Sequence, residues 1–588
     1  MPFHKPNRTQ LLLASVVLML PFAGMAETVP KADAPATTVE QSSVSEAGAY
    51  LAAGVAASES DYAAAADWYG RALAGDANNA ALLEGAAMAN IGVGHMEEAA
   101  RLARALAKTG AKSQIGTVAL IADDAKQQDF AAILKLQAGG SSAGAVLDNL
   151  VKAWAKLGLG RMSEAIEDFD KIAKTKGLES FGLYHKALAL ASAGDYEGAD
   201  KIMSGKVSGV FAINRRGVIA SVEILSQLER NPDAVEMIDR NFAPGNDPEV
   251  DDLRRRLAAG EPVPYTIARN ATEGIGEVFY SMATAVNGEA EASYTLLHAR
   301  SAAYLRPDNT EAELLVAGLL EQLGQHALAT EAYALVAPTD PNFHIAEIGR
   351  ANATFAAGRK EAALEILQAL VRTHGDVLRV QMALADAMRR EGRFEDAWKA
   401  YDAALKMVPT PGPEHWVLFY SRGVASDQMG KYDDAEADFR RAMALSPNEP
   451  ELLNYLGYSL VDHGLKLDEA LGLIKRAVIM RPDNGAILDS LGWAYYRLGR
   501  YKEALPAIER ASLRMAVDAT VTDHLGDVYW AVGRKREAEY QWRRALSYGP
   551  DDKLAARLRL KLEKGLDAVL ADEGAPPLKP LEAAAATP

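Results

Sequence analysis

The chain contains no cysteine. That absence excludes disulfides, thiol nucleophiles, cysteine-based zinc sites and iron–sulfur clusters together. Aromatic residues are scarce, at 7% of a sequence that is 49% hydrophobic. That balance suits many close-packed, alanine-rich helices and not a β-sandwich or barrel. Positive charge is short as well: 63 Lys and Arg face 79 Asp and Glu, a formal net charge of −16. Such a chain gains nothing from counterion release on nucleic acid and is not drawn to anionic lipid, so neither partner is expected. The signatures HExxH and GxxxxGK[ST] are missing. Gly274-Ile275-Gly276 lacks the third glycine and the preceding strand of a dinucleotide-binding turn. His463 and His524 read as packing or helix-surface residues and not as metal ligands. Carboxylate pairs such as Glu97/Glu98 and Asp433/Asp434 follow a turn glycine at the start of a second helix, where the helix dipole favours them. No enzymatic activity, metal or cofactor is therefore expected.

Long apolar runs are absent except for residues 11–20 (LLLASVVLML), preceded by Lys5 and Arg8. Pro21 ends the run, and Gly24-Met25-Ala26 places small residues before Glu27. This is the layout of a secretory signal peptide, residues 1–26, with the cut expected after Ala26. Ten apolar residues are too few to cross a bilayer, and without a cysteine at the cut the chain is not a lipoprotein. A periplasmic or exported protein is expected, with no membrane insertion after cleavage. Residues 27–45 read as a flexible leader and residues 571–588 as a disordered Pro/Ala tail.

What is present is periodicity. Gly-x-x-x-x-Ala recurs at Gly324/Ala329, Gly358/Ala363, Gly392/Ala397, Gly430/Ala435, Gly499/Ala504 and Gly533/Ala538, with one longer copy at Gly464/Ala470. Successive alanines lie 34, 34, 38, 35, 34 and 34 residues apart, the 38 absorbing an insert at 409–413 (PTPGP). Seven residues before each turn glycine stands a small residue: Ala317, Ala351, Ala385, Gly423, Gly457, Gly492 and Gly526. Four residues after each alanine stands a bulky one: Tyr333, Leu367, Tyr401, Phe439, Ile474, Ile508 and Trp542. Prolines at 341, 409, 447, 482 and 550 close many units. Physically, the small residue lets two antiparallel helices approach, the glycine turns the chain, and the alanine and bulky residue form the inner stripe of the second helix. Proline then blocks continuation of that helix.

This order, as in NYLGYSLVDHG and LDSLGWAYYRLGRYKEALPAIERA, resembles the tetratricopeptide repeat. The fold expected is an all-α solenoid of tandem helix–turn–helix repeats, two arrays forming a superhelix. The expected organisation is an N-terminal array at 46–204, with copies at Ala65, Ala99, Ala165 and Ala199 and a degenerate unit near 113–140. An atypical helical connector at 205–275 precedes a C-terminal array at 276–552 and a basic amphipathic capping helix at 553–570. The C-terminal motifs are similar to those of exported bacterial tetratricopeptide proteins. Some of these are outer-membrane lipoproteins that bring carboxyl-terminal processing proteases to cell-wall hydrolases.

Repeats of this kind line a concave groove with their first helices. With the core face of those helices filled by Leu453, Leu456, Leu488 and Leu525, the residues rotated off it form a candidate partner-binding row. The row comprises Tyr420, Asn454, Tyr458, Asp489, Trp493, Tyr496, Arg497, Asp523, Asp527 and Trp530. Aromatics interleaved with Asp and Asn suit an extended peptide, whose side chains the rings bury while polar groups fix its backbone. The alternative is that Trp493, Tyr496 and Trp530 complete the packing between units. Asp489 and Asp523 disfavour clamping of a free carboxylate. The expectation is a scaffold or adaptor for other proteins or peptides, an envelope protease or cell-wall enzyme being one class of partner. The second reading is a glycan- or peptidoglycan-binding, or polysaccharide-export, accessory protein.

Overall fold

The structure is a computed structural model that describes residues 46–206, 214–245 and 247–579. The expected signal peptide and leader, and the last residues of the tail, lie outside the described residues. Among the described residues there are helices and no strands. The chain forms two compact units, one spanning residues 41–409 and the other taking up the chain from Thr410. The division falls in the 409–413 insert.

The N-terminal unit is built of antiparallel pairs. They are α1 (Glu46–Ser58) with α2 (Tyr62–Gly75), α3 (Ala80–Val93) with α4 (Met96–Lys108), and α5 (Gln114–Lys126) with α6 (Phe130–Ala138). Next come α7 (Ala145–Gly158) with α8 (Met162–Ala173), α9 (Glu179–Ser192) with α10 (Tyr196–Met203), and α11 (Arg215–Gln227) with α12 (Asn231–Asn241). A single α13 (Pro248–Ala258) precedes α14 (Ala271–Val286) with α15 (Ala292–Leu305), α16 (Thr310–Gln322) with α17 (His326–Tyr333), α18 (Phe343–Ala356) with α19 (Lys360–His374), and α20 (Leu378–Arg390) with α21 (Phe394–Lys406).

Two features of this unit bear on function. The irregular segment after α13 is pinned to α11: Val263 N donates to Ser226 Oγ (2.9 Å), and Thr266 donates from N and Oγ1 to Glu223 (2.8 and 2.6 Å). Burial pushes the Glu223 carboxyl up to about 7. The second feature is that α14 and α15 lie against α3, α5, α7 and α9, the first helices of four earlier pairs. Gly274 makes this possible, because a Cβ there would sit 2.2 Å from the buried Trp154 ring. Tyr184 Oη donates to Glu277 (2.8 Å), Thr272 Oγ1 to the Ala125 carbonyl (2.9 Å), and Arg300 to the Gly92 carbonyl (3.0 Å). The inner row of the early repeats is thus covered by the chain itself.

The C-terminal unit opens with a 3-10 turn (Pro413–His415) and continues as five pairs. These are α22 (Trp416–Gln428) with α23 (Tyr432–Leu445), α24 (Pro450–Asp462) with α25 (Leu467–Met480), α26 (Gly485–Arg497) with α27 (Tyr501–Arg514), α28 (Ala519–Ala531) with α29 (Lys535–Ser547), and α30 (Asp552–Lys564) with α31 (Leu566–Asp572). The turn glycines of the repeat series all have φ between 68° and 85°, the left-handed region that a Cβ disfavours. Asn484, Asp518 and Asp551 cap α26, α28 and α30, each accepting from a backbone N–H three residues on.

The two buried series meet each other. Phe439, Ile474, Ile508 and Trp542 are fully buried. A Cβ on Gly423, Gly457, Gly492 or Gly526 would approach those four side chains, in the same order, to 2.8, 2.6, 2.8 and 2.4 Å. The small residue therefore makes room mainly for the bulky side chain of the second helix, more than for direct backbone contact. The basic segment after the last repeat is not one helix: Gly565, at φ 81°, breaks it into α30 and α31. The helical part extends to Asp572, and the chain is held in place as far as Lys579.

Candidate functional site

The row predicted on the first helices lies within the C-terminal unit, and its exposure falls along the chain. On α22 and α24, Tyr420, Asn454 and Tyr458 are half-buried, and Asp462 is exposed. On α26, Asp489, Trp493 and Tyr496 are buried while Arg497 stays half-buried. On α28, Asp523 and Asp527 are buried at 3% and 0% exposure, and Trp530 is half-buried. Two covers produce the gradient: His524 of α28 lies on Asp489 and Trp493 of α26, and the α30–α31 cap places Lys561 and Arg557 on Asp523 and Asp527 of α28.

Neighbouring first helices are tied by polar contacts repeating near the repeat period. Ser459 Oγ donates to Asp427 (2.7 Å). Arg497 donates to the Asp462 carbonyl (3.0 Å). His524 Nδ1 pairs with Asp489 at 3.0 and 3.1 Å. Burial disfavours the His524 imidazolium, but Asp489 outweighs that, and the net shift is upward. At the end of the row Lys561, fully buried on α30, donates to Asp523 (2.6 Å) and to both oxygens of Asp527 (2.7 and 2.8 Å). Trp542 Nε1 donates to Asp527 as well (3.0 Å), and Arg557 stands 3.7 and 3.8 Å from the two carboxylates. Burial holds the Asp527 carboxyl above its usual range despite Lys561.

The rings are also engaged. Trp493 is stacked on Tyr496 (centroids 4.7 Å apart, 11° between planes) and on His524 (4.0 Å, 11°). Trp530 lies beside Trp542 (5.3 Å), carries the Lys535 ammonium over its ring (4.5 Å), and donates from Nε1 to Asp567 (3.0 Å). Burial raises the Tyr458 and Tyr496 hydroxyls well above the usual phenol range, so both are neutral donors or acceptors at any physiological pH. Asp489, Trp493, Tyr496, Asp523, Asp527 and Trp530 are thus committed to packing or ion pairs within the chain. Tyr420, Asn454, Tyr458 and Arg497 keep surface on the row. Two buried polar atoms there have no hydrogen-bond partner, Asn454 Oδ1 and Trp493 Nε1.

Residue patterns alone missed the residues that close the row. His524 appeared only as a packing residue, and Lys561 and Arg557 only as part of a basic cap. The signal was the basic character of 553–570 set against the acidic Asp523 and Asp527. Among the described residues no group of three or more His, Asp or Glu could hold a metal ion.

Helix pairs at a period near 34 residues, each closed by a left-handed glycine and locked by a bulky side chain over a small one, define a helical-repeat protein. Tetratricopeptide-repeat family models match residues 348–412 and 414–548. A TPR repeat-containing protein of Pseudomonas aeruginosa is 32% identical over 183 residues, 31% of this chain; the chain spans only 30% of that relative's length. Among solved structures, a tetratricopeptide repeat protein from Parabacteroides merdae aligns at 19% identity and a TM-score of 0.37, covering 43% of this chain and 98% of that one. The APC/C hetero-tetramer Cut9–Hcn1 aligns at 15% identity and a TM-score of 0.38, covering 89% of this chain and 96% of that one.

Proposed function

We propose that the chain is an exported adaptor of the bacterial cell envelope that holds partner proteins or peptides on the row of first helices in its C-terminal unit. The contact surface would be Tyr420, Asn454, Tyr458 and Arg497. The observation that carries this reading is the surface kept by Tyr420, Asn454, Tyr458 and Arg497 on three successive first helices. An extended peptide brings a donor and an acceptor with nearly every residue, which suits aromatic and polar side chains presented along such a row. Saccharide stacking needs an open ring face, and Trp493 is buried and already stacked on two rings; the glycan reading is correspondingly weaker. The signal-peptide layout of residues 1–26 supports export, and the resemblance to exported tetratricopeptide adaptors supports an envelope protease or cell-wall enzyme as the partner.

The test is crosslinking and co-purification from the native envelope with wild type and an Asn454→Ala/Tyr458→Ala variant. Partner capture should be lost in the variant while its helicity, followed by far-UV circular dichroism, is retained. Capture that survives both substitutions, or retention on peptidoglycan with no protein recovered, would refute the groove. Export is tested separately by fractionation and by sequencing the mature N-terminus, which should read from Glu27.

A further inference from the structure

The chain after α31 is not loose. Glu573 is paired with Arg557 (2.7 and 3.1 Å), and Ala575 N donates to the Leu570 carbonyl (2.9 Å). Pro576 and Pro577 then fix an extended backbone. Leu578 packs against the hydrophobic core of the C-terminal unit. Lys579 N donates to Tyr501 Oη (3.0 Å), and Lys579 Nζ donates to the Leu498 carbonyl (2.9 Å). The segment has therefore travelled from the last helix pair back to the turn between α26 and α27, passing the α28–α29 pair. Six residue steps at about 3.1 Å cover roughly 19 Å, which matches two inter-helix spacings of about 8–10 Å.

The landing place has the properties of a site for one particular chemistry. Leu498 caps the C-terminal end of α26, where unsatisfied carbonyls and the helix dipole favour a cation. Gly499, at φ 77°, leaves space that the lysine stem occupies: a Cβ there would lie 2.4 Å from Lys579 Cδ. Tyr501, 4% exposed, is held in place and offers its hydroxyl to a main-chain N–H. Yet the segment itself is lightly held, with Pro576, Pro577 and Lys579 exposed and Leu578 only half-buried.

We propose that Leu498, Gly499 and Tyr501 form a docking site for an extended Pro-Pro-apolar-Lys segment of a partner protein, and that the chain's own residues 574–579 are its competitor in cis. A weakly held internal copy of the ligand keeps the site covered until a partner carrying the same chemistry displaces it. The site uses none of the row residues of the proposed groove and stands apart from that reading.

The experiment uses the full-length chain, a full-length Leu578→Asp/Lys579→Glu variant that releases the segment, and a fluorescein-labelled GAPPLKPL peptide followed by anisotropy. The variant should bind the peptide. Wild type should bind it about tenfold or more weakly, because a tethered segment competes at an effective concentration in the millimolar range. A GAPPLEPL peptide should not bind the variant, and Asn454→Ala/Tyr458→Ala in the released background should leave GAPPLKPL binding unchanged. Equal binding by wild type and variant overturns the proposal, as does no binding to the variant or equal binding of the glutamate peptide.

Discussion

Replacing Lys561 by methionine should loosen the end of the C-terminal unit more than any other single change on the row. Methionine keeps most of the apolar stem and removes only the ammonium. Lys561 is fully buried and holds Asp523 and Asp527 at 2.6–2.8 Å, so its loss strands two buried carboxylates with Arg557, at 3.7 and 3.8 Å, as the remaining cation. Removing one partner of a buried ion pair costs about 3–5 kcal/mol. At about 1.4 kcal/mol per decade this is roughly 150- to 5,000-fold faster hydrogen exchange in α28 and α30. Exchange is the appropriate assay because a chain of two units has no single unfolding free energy. Adding Asp527→Asn should recover much of the loss: one carboxylate is neutralised and its oxygen can still accept from Trp542. Acid should also help the single variant. Asp527 has a folded pKa raised above its ordinary value, so its charged form costs stability increasingly as pH rises from the ordinary aspartate range through the raised value. Unchanged exchange in Lys561→Met, or a double variant as labile as the single one, would refute the triad as the clamp on the cap.

Three further outcomes follow from the packing. Gly526→Ala should cost about 1–3 kcal/mol by overpacking, since its Cβ would meet Trp542 Nε1 at 2.4 Å; hydrogen exchange in α28 and α29 measures it. Gly533→Ala, at φ 85°, should destabilise by about 1 kcal/mol, whereas Gly472→Ala, inside α25 with nothing within 4 Å, should stabilise by about 0.5–1 kcal/mol; both are read by exchange in the helices concerned. Acidification should act locally and with opposite signs. Around His185 and His298 in the N-terminal unit, which burial lowers to about 3 and about 4, stability falls as pH drops below about 6.5, by up to about 1.4 kcal/mol per pH unit for each histidine, whereas Glu223 on α11, raised to about 7, gains stability over the same fall. In the C-terminal unit, the raised His524 pKa means that its pairing with Asp489 is present below the unfolded value and lost as pH rises through the folded one. Exchange measured segment by segment at pH 7 and pH 5 should show α7, α9 and α15 loosening while α26 and α28 do not.

The repeats were legible because they rest on local geometry. A left-handed turn demands glycine at Gly430 or Gly533 whatever surrounds it, and a ring the size of Trp542 demands a residue without a Cβ opposite it at Gly526. These are constraints between residues about 16 apart or fewer, and they recur, so their spacing alone reports them. The candidate row was legible only as a set of positions. That Asn454 and Tyr458 keep surface while Asp523 and Asp527 do not depends on where α30 lies, and Lys561 is 38 residues from Asp523.

The sequence by itself determined the all-helical pairing, its period and the direction in which each helix turns its apolar stripe, because backbone sterics and side-chain volume act between near neighbours. Only the tertiary structure decided which of the resulting surfaces are covered. The α14–α15 pair lies on the inner row of the early repeats because Gly274 admits Trp154 from a helix more than a hundred residues earlier. The tail returns 78 residues to Tyr501 because two prolines and a lysine stem fit a cradle that no local pattern announces. Burial is a property of the whole chain's packing, and it is burial that turned more than half of an apparent binding row into structure.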